Sequence, residues 1–107
     1  MKTYRQIVYR QSDTALMILP TDENEQTDIR FVNDLNDTQK QAFLDLRDFL
    51  LTQVEEFDYC SYTTNNDELC IQPITGLTVV LIVSELDEND KLTVDKVLAI
   101  CLELLNN

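Results

Sequence analysis

The first third of the chain shows the short apolar and alternating runs that are typical of β-strands. Aromatic and β-branched residues fill residues 4–10, which favours a strand there. The alternative for this segment is a helix with Tyr4, Ile7 and Val8 on one face. Pro20 ends the next apolar run, and a polar, acidic loop separates that run from an alternating segment. The predicted strands are 4–10, 15–19 and 28–33.

A helical spacing replaces these runs after the third predicted strand. Asn36 or Asp37 can cap a helix that extends to about residue 57. Its apolar positions recur every three or four residues and are Phe43, Leu46, Leu50, Val54 and Phe57. The carboxylates on the opposite side of the predicted helix are Asp45, Asp48, Glu55 and Glu56. This helix therefore has a core face and an acidic face.

After the first helix, the pattern predicts three more strands and a final helix. Residues 65–67 favour a hairpin turn, because Asn and Asp tolerate a positive φ. The nearly continuous β-branched run at 77–83 is typical of a central, buried strand. An acidic connector over 86–92 leads to a helix that Thr93 can cap. The predicted strands are 59–63, 69–74 and 77–83, and the predicted helix is 93–105.

The order of these elements predicts one α+β domain over residues 1–107. The order β-β-β-α-β-β-β-α, with short connections, indicates a mostly antiparallel sheet of five to six strands with both helices on one face. Parallel pairing would need more crossover helices than the chain has. The sequence shows no evident internal repeat or interdomain linker, and the pattern leaves the strand order open.

The composition adds a strong negative charge to this picture. The 107 residues include 20 Asp and Glu but 8 Lys and Arg, which gives a formal net charge of −12 at pH 7. Hydrophobic residues make up 44% of the chain, so the acidity belongs to a folded protein rather than to a disordered tail. Such a charge repels nucleic acid and acidic membranes and attracts basic proteins. No apolar run is long enough to span a bilayer.

The residue types that most catalytic and cofactor sites require are scarce in this chain. It has no His, which removes imidazole bases and histidine metal ligands, and one Gly, which leaves no glycine-rich phosphate loop. Asp87, Asn89 and Lys91 have the spacing of calcium-loop ligands. However, Lys91 would place a cation on a ligand position, and Leu92 stands where the loop needs Gly. We therefore expect no enzymatic activity, no cofactor and no metal site.

The cysteines bear on the compartment. There are three, an odd number, and the N-terminus lacks the pattern of a signal peptide, so we expect a cytoplasmic protein with reduced thiols. Cys60 and Cys70 flank the predicted hairpin turn at similar distances, and a disulfide between them is the alternative to two unpaired thiols. Cys101 lies on the apolar side of the last helix, where we expect it to be buried.

Strong acidity without catalytic motifs predicts a protein that binds another protein. The leading interpretation is an inhibitor or immunity-type protein that mimics nucleic acid and blocks the basic nucleic-acid-binding surface of a partner such as a nuclease. The alternative is a small acidic chaperone or adaptor, monomeric or homodimeric, that binds an extended segment of a client protein. Neither interpretation involves direct binding of nucleic acid or of a membrane. The predicted partner-binding residues are Asp22, Glu23, Glu25, Asp45, Asp48, Glu55, Glu56, Asp87, Glu88 and Asp90.

Overall fold

The computed structural model describes residues 1–107 as a six-stranded antiparallel sheet with two helices on one face. The element order confirms the predicted α+β class, and residues 4–10 form a strand rather than the alternative helix. The strands are β1 (Tyr4–Arg10), β2 (Ala15–Pro20), β3 (Asp28–Phe31), β4 (Phe57–Thr63), β5 (Glu68–Pro73) and β6 (Val79–Ile82). The helices are α1 (Asp37–Gln53) and α2 (Glu88–Leu105), and short 3-10 turns at Val32–Asp34 and Val83–Glu85 precede them.

A single core of 20 buried residues lies between the sheet and the helices. Successive strand side chains point to opposite faces of a sheet, so Ile7 and Tyr9 of β1 enter the core while Val8 points away from it. Each helix presents one apolar stripe to the sheet. The buried helical residues are Ala42, Phe43, Leu46, Phe49, Leu50, Val94, Val97, Cys101, Leu104 and Leu105.

Two consecutive βββα halves make up the fold. Each half contains three antiparallel strands, a 3-10 turn and a helix. Taken in order, residues 4–20 correspond to 57–73, and residues 28–53 correspond to 79–104. The expectation that the chain contains no internal repeat is therefore wrong. The loop between the second and third strand is longer in the first half, which changes the spacing between equivalent residues and hides the duplication from a search at one fixed period.

The two halves also share residues at equivalent positions of the core and its turns. The backbone contacts match as well: the amide of Val32 donates to the Thr14 carbonyl at 3.0 Å, and the amide of Val83 donates to the Asp67 carbonyl at 3.0 Å. Identical equivalent pairs include Tyr9 and Tyr62, Leu16 and Leu69, Ile18 and Ile71, Pro20 and Pro73, Val32 and Val83, and Leu35 and Leu86. The duplication is thus visible in the sequence once the structure supplies the alignment.

The first strands of the two halves, β1 and β4, pair with each other at the centre of the sheet. Val8 lies opposite Ser61, which is its own equivalent in the second half. An approximate two-fold axis therefore passes between these two residues. The register irregularities obey the same symmetry, since one falls before Gln6 in β1 and the other before Tyr59 in β4. The strand order is β3-β2-β1-β4-β5-β6. On each side of the axis, the first, second and third strands of one half follow in sequence from the centre of the sheet to its edge.

The apolar run at residues 77–83 contributes an edge strand, so its predicted central position is wrong. β6 pairs with β5 alone. Val79 and Leu81 pack against the core, whereas Val80 points to the other face and is 53% exposed. A continuous apolar run is typical of a strand that is buried on both faces. In this protein one of those faces is not covered, and the uncovered face is part of the candidate site.

The first helix ends earlier than its apolar spacing predicts. α1 stops at Gln53, because Val54 adopts an extended conformation with φ −140° and ψ 157°. Phe57 then begins β4, where its side chain is buried in the sheet rather than on the helix. Glu55 and Glu56 consequently lie in the connector after α1, and the predicted acidic helix face loses two of its four carboxylates.

The second helix begins earlier than predicted. Asp87, not Thr93, is the N-cap of α2, and its carboxylate accepts a hydrogen bond from the Asp90 amide at 3.0 Å. Thr93 lies inside the helix, where its hydroxyl donates to the Asn89 carbonyl at 3.1 Å. The segment predicted to be an acidic connector therefore forms the beginning of α2 instead. Carboxylates are favourable there because the N-terminal end of a helix dipole is positive.

Candidate protein-binding surface

The face of the sheet opposite the helices carries a continuous row of side chains across all six strands. Each residue of this row pairs with the next through the strand register. Neighbouring strands lie about 4.8 Å apart, so the row is about 24 Å long. From β3 to β6, this central row consists of Ile29, Met17, Val8, Ser61, Cys70 and Val80. Ser61 is the one hydroxyl in an otherwise apolar series.

Two further rows flank the central row, and the three rows together are called the open face here. The first flanking row contains Leu19, Gln6, Thr63, Glu68 and Ile82. The second contains Phe31, Ala15, Arg10, Tyr59 and Gln72. Arg10 and Glu68 are the charged residues of these rows, and Arg10 already forms an ion pair with Asp13 at 2.7 Å. The open face is nearly uncharged in a chain whose net charge is −12.

The open face is more apolar over the first half of the chain than over the second. Met17 is equivalent to Cys70, and Val8 is equivalent to Ser61. Exposed apolar residues lie at both edges, since Ile29 and Phe31 of β3 are 60% and 46% exposed and Val80 of β6 is 53% exposed. The approximate symmetry of the backbone therefore carries an asymmetric surface.

The thiols lie on different sides of the sheet. Cys60 is buried in the core opposite Ile71, whereas Cys70 lies opposite Ser61 on the open face, so the two thiols cannot meet across the hairpin. Burial raises the pKa of the Cys60 thiol to about 12 and also raises that of Cys101. Cys101 is fully buried, as predicted. Cys70 is partly exposed, with a pKa that partial burial raises, and it is the accessible thiol of the open face.

The predicted acidic residues of α1 lie away from the open face. Asp45 and Asp48 are exposed on the helix, on the other side of the sheet. Asp45 accepts a hydrogen bond from Gln41 Nε2 at 2.9 Å and lines a shallow cleft between the two helices. Glu55 and Glu56 instead line an open depression beside the loop that follows β5. The structure thus separates the four carboxylates into two pairs.

The remaining predicted site residues form two further groups. Asp22, Glu23 and Glu25 lie in the loop between β2 and β3, and Glu25 forms an ion pair with Lys2 at 3.0 Å. The second group surrounds the N-terminus of α2 and consists of Asp87, Glu88 and Asp90. Partial desolvation and the Asp87 carboxylate raise the pKa of Asp90. These groups follow strands on opposite halves of the sheet. The ten predicted residues are therefore distributed over the surface rather than gathered into one patch.

A polar cluster that the sequence did not indicate fixes the second hairpin. The Tyr62 hydroxyl donates to Asp67 Oδ1 at 2.7 Å, and the Ser84 amide donates to Asp67 Oδ2 at 2.8 Å. The hydrogen bond from Tyr62 is the main reason that the pKa of Asp67 is lowered, while burial and this same bond raise the pKa of Tyr62. The cluster ties the hairpin turn to the 3-10 turn before α2, which is a structural role.

The structure contains no group of three or more His, Cys, Asp or Glu side chains that could hold a metal ion. Neither helix combines the length and the apolar character that crossing a membrane would require. Comparison of the chain with protein families, with curated proteins and with solved structures finds no match.

Proposed function

We propose that this protein is a non-catalytic, acidic adaptor or chaperone-like protein that holds an apolar segment of a partner protein on the open face. The observation that carries the proposal is the uncovered, nearly uncharged central row between Ile29 and Val80. An antiparallel sheet with one solvated face normally places polar residues on that face. Here the flanking rows include polar residues, but apolar residues occupy most of the central row, and their exposure to water is unfavourable unless a partner covers them.

The size of the open face supports a binding role. Its three rows are about 13 Å apart from first to last along the strands, and the central row is about 24 Å long, which gives a projected area of about 300 Å². The central row is the apolar strip within this area, and contiguous apolar patches on soluble proteins commonly mark interaction sites. The net charge of −12 opposes self-association of the protein while this face is free.

The proposal can be tested by capturing partners with two matched double variants. Ile29→Asp with Val80→Asp places two charges on the open face, at residues that are 60% and 53% exposed. Leu44→Asp with Leu92→Asp places the same two charges on the helical side, at residues that are 41% and 54% exposed. Both variants change the net charge equally, so a difference between them reports on location rather than on charge.

We expect the unmodified protein and the helical-side variant to retain the same partner from native lysate. The open-face variant should lose this partner at every salt concentration. Apolar contacts depend weakly on salt, so this partner should stay bound when the salt concentration is raised. Retention of every captured protein by the open-face variant would contradict the proposal. Circular dichroism of both variants confirms that each is folded before the comparison.

The excess of carboxylates supports a second candidate, the blocking of a basic nucleic-acid-binding surface. Five of the 20 carboxylates form ion pairs, and the others have no basic partner within the molecule. The test is charge reversal of Asp45 and Asp48 to Lys, with association rates measured across salt concentrations. This candidate requires slower association of the variant at low salt and a flatter salt dependence. A rate equal to that of the unmodified protein removes α1 from such an interface.

A further inference from the structure

We propose that the occupant of the open face is an amphipathic helix of about four turns, with an apolar stripe flanked by Lys and Arg, that lies across the strands along the central row. This inference rests on the proposed function and names the shape and charge of the bound segment. A helix of about 16 residues is about 24 Å long, which matches the central row. A helix is also about 10 Å in diameter, which fits the spacing of the outer rows.

Electrostatics determine the flanks of this helix. The central row carries no charge, so the side of the helix that contacts it must be apolar to avoid burying an unpaired charge. Glu68 lies in the first flanking row, and the molecule as a whole carries a net charge of −12. Basic residues on the flanks of the helix would be attracted to this surface, and acidic flanks would be repelled.

Charge disfavours a second copy of this chain as the occupant. Two copies would bring together two molecules of net charge −12. A basic helix avoids this repulsion, and its long Lys and Arg side chains can reach Glu68 in the first flanking row.

The asymmetry of the open face concentrates the apolar contacts of this helix at the β3 end of the central row. Ile29, Met17 and Val8 form the apolar side of the central row, whereas Ser61 and Cys70 form its more polar side. Cys70 nevertheless lies in the row, so a helix along the row would cover its thiol. Cys60 and Cys101 are buried in the core and serve as internal controls for chemical labelling.

The experiment uses three synthetic 18-residue peptides and the full-length protein at physiological salt. The first is an amphipathic Leu/Lys helix, the second has the same composition in scrambled order, and the third replaces each Lys by Glu. We expect the first peptide to slow alkylation of Cys70 by N-ethylmaleimide at least tenfold. The scrambled and acidic peptides should slow it less than twofold. Labelling of the buried Cys60 or Cys101 would show that a peptide has unfolded the protein.

The two double variants then locate the bound helix by affinity. Ile29→Asp with Val80→Asp should weaken binding of the Leu/Lys peptide at least tenfold, and Leu44→Asp with Leu92→Asp should change it less than twofold. Equal effects of the two variants, or no protection of Cys70 in the unmodified protein, overturn the inference. Sedimentation equilibrium showing a dimer that the open-face variant dissociates would also overturn it, because a second copy would then occupy the face.

The outcome also separates this inference from the proposed function. If an extended, non-helical apolar peptide protects Cys70 and the Leu/Lys helix does not, the open face binds partners but the helical occupant is wrong. If no peptide protects Cys70 and the open-face variant retains every partner captured from lysate, both proposals fail.

Discussion

The hairpin turn of the first half ends at Thr14 and that of the second half ends at Asp67, and both residues have a positive φ, of 57° and 52°. Each carbonyl accepts the amide that opens the following 3-10 turn. The side chains differ, because the Asp67 carboxylate has two partners while the buried Thr14 hydroxyl has none. The backbone of the duplicated unit is therefore more uniform than the interactions that stabilise it.

The equivalent tyrosines show the same difference. The Tyr9 ring packs against Phe43, with the ring centroids 5.4 Å apart, whereas Tyr62 hydrogen-bonds to Asp67. Val94 takes the position of Phe43 in α2. The first half thus depends more on apolar packing between its strand and its helix, and the second half depends more on a polar cluster at its turn.

The largest effect is expected from Phe43→Ala in the core of the first half. Phe43 is 1% exposed, and such truncations cost about 3–5 kcal/mol because they remove apolar contacts and leave a cavity. The equivalent substitution Val94→Ala removes fewer atoms and should cost about 2 kcal/mol. Urea unfolding of both variants measures the difference. Equal losses would contradict the view that α1 contributes more packing than α2.

Asp67→Ala should cost about 1–3 kcal/mol, because it leaves the Tyr62 hydroxyl and the Ser84 amide without their acceptor. The pKa of Asp67 is lowered from its ordinary value of 3.8. Its carboxylate therefore contributes stability that is fully present above pH 3.8 and is lost as the pH falls through the lowered folded-state pKa. The difference between the variant and the unmodified protein should accordingly shrink between pH 7 and pH 3 in urea titrations.

Tyr62→Phe is the matched companion of this variant, since it removes the donor and keeps the ring. The two substitutions should be less than additive when they are combined, because they remove the same hydrogen bond. Full additivity would show that Asp67 acts independently of Tyr62.

Removing the two helix caps should have similar, smaller effects. Asn36→Ala and Asp87→Ala each delete the side-chain acceptor of an amide in the first helical turn, at a cost of about 1 kcal/mol. Asp87 also carries a charge at the positive end of the α2 dipole, so part of its effect should fall as salt is added. Asn36 is neutral, and its effect should be independent of salt. Thermal unfolding at low and high salt distinguishes the two caps.

The smallest effect, and the one of opposite sign, is expected from Thr14→Gly. A β-branched residue at a positive φ is strained, and glycine removes both this strain and a buried hydroxyl without a partner. Part of that gain is offset by the greater flexibility of glycine in the unfolded chain, which leaves a stabilisation of about 0.5–1 kcal/mol. Asp67→Gly should destabilise the equivalent turn. A loss of stability in Thr14→Gly would contradict the proposed strain.

Features that depend on local chemistry could be predicted from the order of the residues. The alternating and β-branched runs located all six strands to within a few residues, and the apolar spacing located both helices. The order of elements and the need to bury one stripe per helix then sufficed for the α+β class with both helices on one face. Burial of Cys101 followed from its place on the apolar stripe of α2.

Features that depend on pairing between distant residues could not be predicted from local patterns. The run at 77–83 has the composition of a central strand, but the two-fold relation through Val8 and Ser61 places β6 at an edge. Phe57 continues the spacing of α1 but lies in β4, because burial of its side chain in the core of the sheet outweighs a weak helical preference. The open face is likewise a property of the sheet, since its central row is collected from six separate strands and becomes one surface only when they pair.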